Sequence, residues 1–184
     1  MSMRVLIACE YSGIVRRAFE LRGHDVISCD FLPSEIIGRH YKGNVLDILY
    51  KKWDMLIGHP TCTYLCNSGV RWMDAERYIK CLEASQFFYT LWNSGIPRIC
   101  LENPIPHKYA KLPKYTQIVH PWHFGHGETK ATCFWLKGLP TLKPSNIVNG
   151  RLQKIHNMSP GINRSKERSR TYQGIAEAMA KQWG

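Results

Sequence analysis

The segment that most constrains this chain runs from Trp53 to Gly69 and reads WDMLIGHPTCTYLCNSG. Its first part is an apolar run typical of a buried strand. The Gly-His-Pro-Thr-Cys stretch that follows ends the strand abruptly, because proline and glycine interrupt regular structure. Cys62 therefore lies on a proline-stiffened turn at the tip of a predicted strand. This position suits a nucleophile, but free cysteine is also among the most buried residue types, so the segment alone leaves both roles open.

Length, charge and cysteine usage narrow the class of protein. A chain of 184 residues suits one domain with an α/β core, and we expect a single domain over residues 1–184. No apolar run approaches the roughly 20 residues that cross a bilayer, and no signal peptide is recognisable, so we expect no membrane association. Seven cysteines, several inside apolar runs, suit a reducing cytoplasm. The net charge of +11 indicates a polyanionic partner, most simply nucleic acid.

The first thirty residues predict a strand, a helix and a second strand. Residues 4–9 form a short continuous apolar run, as in a strand buried on both faces of a parallel sheet. Residues 14–22 have a helical pattern that ends at Gly23, and residues 25–30 form the next strand, which closes on Asp30. Such a unit with a terminal acid is typical of the opening of a nucleotide-binding α/β domain.

The same alternation continues along the chain. Further strands are predicted at residues 44–47, 53–58, 97–104, 117–124 and 132–136, and helices at residues 74–93 and 174–182. Residues 138–170 have a loop-like, basic composition. Strands that alternate with helical patterns predict a mostly parallel, twisted sheet with helices on both faces, which is an α/β fold.

Polar residues with chemical potential follow several predicted strands. Functional side chains gather at the carboxyl ends of strands in open α/β sheets. Those ends carry residues 10–13, Asp30, Asp47, residues 59–62 and residues 102–103. A thiol and a carboxylic acid on adjacent strands suit covalent attack on an electron-poor ring, in which the acid protonates a ring nitrogen as the nucleophile adds.

The segment from Asp54 to Gly69 resembles the nucleophile motif of DNA (cytosine-5) methyltransferases, Asp-Leu-Leu-x-Gly-Gly-Pro-Pro-Cys-Gln-x-Phe-Ser-x-Ala-Gly. The spacing from Asp54 through Cys62 to Gly69 is unbroken, and His59 and Thr61 replace a glycine and a proline. Residues 101–104, Leu-Glu-Asn-Pro, are similar to the family's Glu-Asn-Val. The resemblance implies that Cys62 and Glu102 are catalytic.

A second part of the resemblance concerns the cofactor. Tyr11-Ser12-Gly13-Ile14 is similar to the start of the family's loop, Phe-Ala-Gly-Ile-Gly-Gly, although Val15 and Arg16 stand where that loop has two glycines. The family implies a Rossmann-like class I methyltransferase fold and S-adenosyl-L-methionine as cofactor. The residues that the resemblance and the strand ends assign to this cofactor are Tyr11, Ser12, Gly13, Asp30, Asp47 and Pro60.

The implied reaction is methylation of cytosine at C5. Cys62 adds as a thiolate to C6 of the base, Glu102 hydrogen-bonds N3, and C5 then takes the methyl group. The family's Gln-x-Arg-x-Arg strand is not recognisable, and Lys130 is the nearest basic substitute. The substrate-binding residues predicted here are Asn103, Lys130, Arg164, Arg168 and Arg170.

The family's large target-recognition region is essentially missing, and only residues 138–172 can replace it. This segment is rich in basic residues, which are Lys143, Arg151, Lys154, Arg164, Lys166, Arg168 and Arg170. Such a segment suits phosphate contacts without base reading, and a solvated disordered loop is the alternative. We therefore expect weak sequence selectivity on single-stranded or non-specific duplex DNA, as in a short phage or prophage protein in the cytoplasm of a bacterial host.

Other interpretations stay open at this level. A relative that modifies cytosine in RNA or in a free nucleotide is one, and a catalytically inactive DNA-binding homologue is another, motivated by the altered cofactor loop. No metal site is expected. His120, His123 and His126 do not converge if they lie on a strand, and Cys62 and Cys66 lack a convincing second half of a zinc site.

Overall fold

The computed structural model describes residues 1–159, 161 and 164–184. The strands are β1 Arg4–Ala8, β2 Asp25–Asp30, β3 His40–Lys42, β4 Met55–Gly58, β5 Arg98–Pro104, β6 Gln117–Val119 and β7 Thr132–Lys137. The α-helices are α1 Ile14–Glu20, α2 Leu46–Leu49, α3 Ala75–Trp92, α4 Lys154–Asn157, α5 Arg164–Ser169 and α6 Gln173–Trp183. Short 3₁₀ segments lie at Asn67–Trp72, Lys108–Ala110 and Pro121–His123.

All seven strands belong to one sheet with the order β3-β2-β1-β4-β5-β7-β6. Neighbours from β3 to β5 pair in parallel, whereas β7 is antiparallel to both β5 and β6. This order with one reversed strand is that of the Rossmann-like class I methyltransferase fold. The predicted fold class and the mostly parallel sheet are thereby confirmed.

Apolar layers cover both faces of the sheet. On one face α1 and α6 pack through Phe19, Met179 and Trp183 against the central strands. On the other face α3 contributes Phe88, which lies edge-on to Trp135 with ring centroids 5.1 Å apart. The strands β1 and β4 are buried almost throughout, as expected for central parallel strands covered on both sides. The carboxyl ends of these strands are left open for a site.

Two predicted strands were wrong in position or length. Residues 44–47 are not a strand, because Asn44 Oδ1 accepts the backbone N–H of Leu46 at 3.1 Å and starts the helical turn α2. The third strand is β3 instead. The strand predicted at residues 117–124 ends at Val119, because Pro121 lacks a donor for a strand ladder and begins a 3₁₀ segment.

The predicted helices were close to the observed ones. Helix α3 matches residues 74–93, with Asp74 as the cap that accepts the N–H of Arg77 at 2.8 Å. Helix α6 is the predicted closing helix, and α1 ends two residues earlier than predicted. The segment at residues 138–170 was predicted as a loop, but it contains the helices α4 and α5. No helix in the described residues is long and apolar enough to cross a membrane.

Arg16, which stands where the related cofactor loop has a glycine, is completely buried. Its guanidinium donates to Ser28 Oγ at 3.1 Å and to the carbonyl of Ile36 at 2.6 Å, and it pairs with Glu20 at 2.7 Å. The chain wraps around this group so closely at Gly38 that a Cβ there would clash with it. Arg16 thereby fixes the loop between β2 and β3, which lies at the carboxyl end of β2.

We expect replacement of Arg16 by methionine to lower the free energy of unfolding by about 3 kcal/mol, because Glu20 and buried carbonyls lose their donor. Urea denaturation measures the loss. Arg17→Met is the matched control, since the Arg17 side chain is 52% exposed and lies 3.8 Å from Glu20. We expect a change below about 1 kcal/mol for this control. Equal losses in the two variants would contradict the structural role of Arg16.

Candidate active site

The sheet register places His59 beside Glu102. Gly58 pairs with Leu101 in the parallel ladder between β4 and β5, so the next residue on each strand lies next to its counterpart. The Nδ1 atom of His59 is 2.8 Å from Oε2 of Glu102, and each side chain is 12% exposed. This hydrogen bond links the His59 imidazole to the Glu102 carboxylate at the carboxyl ends of two adjacent strands.

Burial and the hydrogen bond shift the pKa values of both members of this pair. Burial by itself lowers the pKa of His59, but the hydrogen bond and charge of Glu102 outweigh it and raise that pKa above its ordinary value. Burial by itself raises the pKa of Glu102, yet His59 and Lys130 bring it below the ordinary value. The Nε2 atom of His59 is buried and has no hydrogen-bond partner among the described residues.

Cys62 lies on a helical turn that is held against the end of β5. The carbonyl of Cys62 accepts the backbone N–H groups of Leu65 and Cys66, each at 3.1 Å. Leu65 is fully buried and anchors the turn. From the other side, Asn103 Nδ2 donates to the carbonyl of Pro60 at 3.1 Å. The position of Cys62 relative to Glu102 is therefore fixed by contacts on both sides of the turn.

The Cys62 thiol is neutral in this state. A hydrogen bond with Cys66, burial, and the nearby charges of Cys66 and Glu102 raise the pKa of Cys62 far above its ordinary value. Lys130 is the cation that acts in the opposite direction. Since the thiolate is the nucleophilic form, Lys130 favours the reactive state of Cys62 while Cys66 opposes it.

Lys130 connects this cluster to the basic segment near the end of the chain. Its Nζ donates to the carbonyl of Arg168 at 2.9 Å and lies 5.8 Å from the centroid of the Tyr172 ring. Its charge lowers the pKa of His59, Glu102 and Cys62. The structure thus brings Lys130, predicted as a substrate-binding residue, to the candidate catalytic pair.

A cavity of about 610 Å³ opens beside this cluster, at the carboxyl ends of β1, β2 and β4. Its lining comes from six parts of the chain, which are Cys9, Glu10, Tyr11 and Ser12; Cys29, Asp30, Phe31 and Leu32; Gly43, Asn44, Val45 and Leu46; His59 and Thr61; Phe87; and Lys166, Ser169, Arg170 and Thr171. Tyr11 donates its hydroxyl to the carbonyl of Lys166 at 2.7 Å, and Arg170 pairs with Glu35 at 2.6 Å. Helix α5 and the residues after it therefore close one wall.

The chemistry of the lining discriminates between cofactors. The buried carboxylate of Glu10 accepts the backbone N–H groups of Val15 at 2.7 Å and Arg16 at 3.2 Å. These groups at the start of α1 are therefore not available to a pyrophosphate, which a dinucleotide would place there. Glu10 and Asp30 both reach the lining, together with apolar side chains such as Phe31. Two carboxylates and an apolar wall suit a cation that carries a sugar and a flat ring, as S-adenosylmethionine does.

The six residues predicted to bind the cofactor fall into two groups. Tyr11, Ser12 and Asp30 line the cavity, whereas Gly13, Asp47 and Pro60 are not among the described residues that line it. Gly13 precedes α1 with a φ of 74°, and a side chain there would crowd Arg16. Asp47 accepts the Tyr41 hydroxyl at 2.9 Å on the exposed side of α2, and Pro60 is buried behind the Cys62 turn.

The residues predicted to bind substrate are more dispersed. Asn103 is 1% exposed and holds the turn through Pro60, so the structure places it behind the site. Arg170 lines the cavity, and the backbone of Arg168 binds Lys130. Arg164 is half-buried at the first residue of α5.

Three residues contribute to the candidate site although the sequence analysis gave them no role. His59 was noted as a departure from the related motif, and the pairing of adjacent parallel strands would have identified it as the neighbour of Glu102. Cys66 follows Cys62 by four residues, a spacing that one helical turn brings together. Lys166 was counted only as part of the basic segment, and nothing local indicates that it lines the cavity. No group of His, Cys, Asp or Glu side chains within the described parts of the chain could hold a metal ion.

We expect Lys130→Met to slow alkylation of Cys62 by iodoacetamide at pH 8 by roughly threefold to tenfold, because loss of the cation raises the pKa of the thiol further and one pKa unit is tenfold in thiolate. Mass spectrometry of the peptide that contains Cys62 measures the rate. Lys137→Met is the control, because Lys137 lies at the other end of β7 and donates to the carbonyl of Trp92. An unchanged rate in Lys130→Met would show that Lys130 does not act on the thiol.

Comparison with known proteins supports the fold at low sequence identity. No protein-family model matches the chain, and no curated protein sequence matches it. Among solved structures, a protein assigned as a DNA modification methyltransferase encoded within an E. coli prophage superposes with a TM-score of 0.53 at 15% identity. The match covers 88% of this chain and 56% of the prophage protein. The likeness establishes the fold, and this chain spans little more than half of the other protein's length.

Two further methyltransferase structures match more weakly. The Dnmt2 methyltransferase of S. pombe has a TM-score of 0.41 at 15% identity, with 84% of this chain and 54% of that protein covered. The methyltransferase EhMeth of Entamoeba histolytica has a TM-score of 0.44 at 13% identity, with 90% and 62% covered.

Proposed function

We propose that this protein is a methyltransferase that uses S-adenosylmethionine to methylate C5 of cytosine in DNA through a covalent adduct with Cys62. The observation that carries the proposal is the position of Cys62. It lies on the turn after β4, where its thiol is influenced by the Glu102 charge, and the adjacent residue Thr61 lines the cavity at the strand ends of a class I methyltransferase fold. A nucleophile, an acid and a cofactor-sized cavity at one sheet edge are the parts that this chemistry needs.

The roles of the residues follow from cytosine chemistry. Cys62 loses its thiol proton to solvent and its Sγ forms a bond to C6. The C5–C6 double bond opens at the same time, N3 gains a proton through Glu102, and the resulting enamine makes C5 nucleophilic. When bound, the cofactor supplies an electrophilic methyl group for C5. The C5 proton then leaves to a base and the Sγ–C6 bond breaks. The double bond re-forms, and both Cys62 and the proton balance of Glu102 are restored.

The cavity lining gives the cofactor its partners. Asp30 ends β2, where an acid takes the hydroxyls of a ribose in related α/β sheets. Phe31 and Leu46 offer apolar surface to a purine ring, and Glu10 places negative charge near the start of α1. Asp47 was predicted to bind the cofactor, but its hydrogen bond with Tyr41 favours a role outside the cavity lining.

A nucleic-acid substrate is supported by charge. The net charge of +11 is large for 184 residues, and Lys166 and Arg170 reach the same edge of the sheet as Cys62. Phosphate contacts from such side chains give affinity without sequence information. The base must leave a duplex before Cys62 can reach it, which costs a few kcal/mol that a single strand does not require. We therefore favour single-stranded or locally opened DNA as substrate.

Cysteine usage bears on the compartment. The chain has seven cysteines, several of them inside apolar strands, and the thiol of Cys62 hydrogen-bonds Cys66. Thiols persist in a reducing compartment, so we propose that the protein acts in the cytoplasm of a bacterium or a phage-infected cell.

The direct test is transfer of a labelled methyl group from S-adenosylmethionine to single-stranded DNA, duplex DNA, RNA or dCMP. We expect label in DNA, with loss of at least about a thousandfold in Cys62→Ala because the covalent route is removed. Cys66→Ala is the matched control, since it lies one turn away and opposes thiolate formation, and its activity should be kept or increased. Transfer only to RNA or dCMP would replace the proposed substrate. Tight DNA binding without cofactor binding would indicate an inactive homologue.

The segment between β7 and α6 is short and basic, so it has little room for side chains that read bases, and we propose weak sequence selectivity. Methylation of a long DNA of mixed sequence, followed by base-resolution mapping, should find modified cytosines in many contexts, with preferences of only a few-fold. Raising the salt concentration should reduce activity on all sites together, because phosphate contacts dominate the affinity. Strict methylation of one short palindrome by the isolated protein would contradict this prediction.

A further inference from the structure

We propose that His59 is a positioning residue that holds an exchangeable proton next to Glu102, so that Glu102 can deliver a proton to N3 of cytosine at neutral pH. This inference rests on the proposed function. It concerns a residue that replaces the glycine of the related nucleophile motif, so it is a property of this chain.

The geometry shields most of the pair from water. The Nδ1 atom of His59 and the Oε2 atom of Glu102 are 2.8 Å apart, and each side chain is 12% exposed. The ring orientation is fixed by this bond, and Nε2 is buried without a partner in the described residues. His59 also reaches the cavity lining, so the imidazole stands between the cavity and the carboxylate. A proton shared by His59 and Glu102 therefore exchanges slowly with water. We expect a ligand in the cavity to change how readily this proton is released, because His59 lines the cavity.

The addition of Cys62 to cytosine requires a proton donor near N3 of the base. A carboxyl group ordinarily loses its proton near pH 4.3, about two units below an imidazole. Without His59, a Glu102 with an ordinary pKa would therefore be deprotonated at neutral pH and would have no proton to donate to N3. The pair of His59 and Glu102 carries one exchangeable proton, and N3 takes it as Cys62 Sγ bonds to C6. The pair is then left as neutral imidazole and carboxylate. The proton returns from N3 when the Sγ–C6 bond breaks.

The charged groups around the pair come from several elements. Glu10, in the loop after β1, raises the pKa of His59, while Lys130, in the loop before β7, lowers it. Lys130 also lowers the pKa of Glu102. The negative charge of Glu102 raises the pKa of the Cys62 and Cys100 thiols. The raised pKa of His59 and the lowered pKa of Glu102 both favour the imidazole over the carboxylate as the group that carries the proton before a base binds.

Hydrogen exchange at C5 of cytosine tests the role without the cofactor. Reversible addition of Cys62 to C6 makes C5 basic, so the C5 hydrogen exchanges with deuterated water in a single-stranded oligonucleotide. The rate is measured from pH 5 to pH 9 for the wild type, His59→Gln and the control His24→Gln. His24 accepts the N–H of Met3 at 3.2 Å, at the opposite edge of the sheet.

We expect the alkaline fall of the wild-type exchange rate to lie near or above pH 7. In His59→Gln the fall should move to lower pH by about one to two units, which is a loss of roughly tenfold or more at pH 8. The His24→Gln profile should match the wild type. An unchanged alkaline limb in His59→Gln would overturn the role of His59 while methyl transfer stands. Wild-type protein that neither exchanges C5 hydrogen nor methylates would overturn the proposed function, and this inference with it.

A second measurement works on the folded protein alone. Nuclear magnetic resonance of ring-labelled histidine follows the titration of His59 in the wild type and in Glu102→Gln. We expect the wild-type pKa to lie above its ordinary value of about 6.5 and to fall below that value in Glu102→Gln, because burial remains and the partner charge is gone. A wild-type value at or below the ordinary one would overturn the inference, even if His59→Gln does not fold.

Discussion

The parallel register between β4 and β5 is the constraint on which the candidate site depends. Because Gly58 pairs with Leu101, His59 and Glu102 become neighbours, and the turn that carries Cys62 starts at the same level of the sheet. A one-residue slip would send the Glu102 side chain to the other face. The apolar side chains of both strands oppose such a slip, since Leu56, Ile57 and Ile99 are fully buried. The chemistry at the edge is thus held in register by the core.

The sequence was most informative where apolar patterns are continuous. The central strands β1 and β4 and the long helix α3 follow from their buried faces, and the strand ends then locate Cys62 and Glu102. Strand β3 escaped prediction because its three residues, His40–Lys42, are mostly exposed and carry no apolar periodicity. The reversed direction of β7 also has no local cause. It depends on how β6 and β7 pair with each other and with β5, which are long-range contacts.

The cavity lining was predicted less completely than the positions of Cys62 and Glu102 at the strand ends, for a related reason. The expected glycines of the cofactor loop are replaced by Val15 and Arg16, and the structure compensates in two ways. Glu10 caps the start of α1 from behind, and the Arg16 guanidinium fills the space beside β2 where it binds Ser28. A loop that would otherwise depend on glycine conformations is held by buried charge. The sequence alone does not indicate this compensation, because Glu10, Arg16 and Ser28 are separate polar positions whose contacts appear only when the strand, loop and helix have packed.

The bond between Tyr11 and Lys166 spans 155 positions, and this separation has a consequence for biosynthesis. One wall of the cavity comes from the first strand and its loop, and the opposite wall from α5 and the residues that follow it. During synthesis at about 5–20 residues per second, the first wall leaves the ribosome many seconds before the second. Until α5 has emerged and docked, the growing chain has no enclosed cavity. Ligand therefore cannot assist the early stages of folding, and stabilises only the completed sheet.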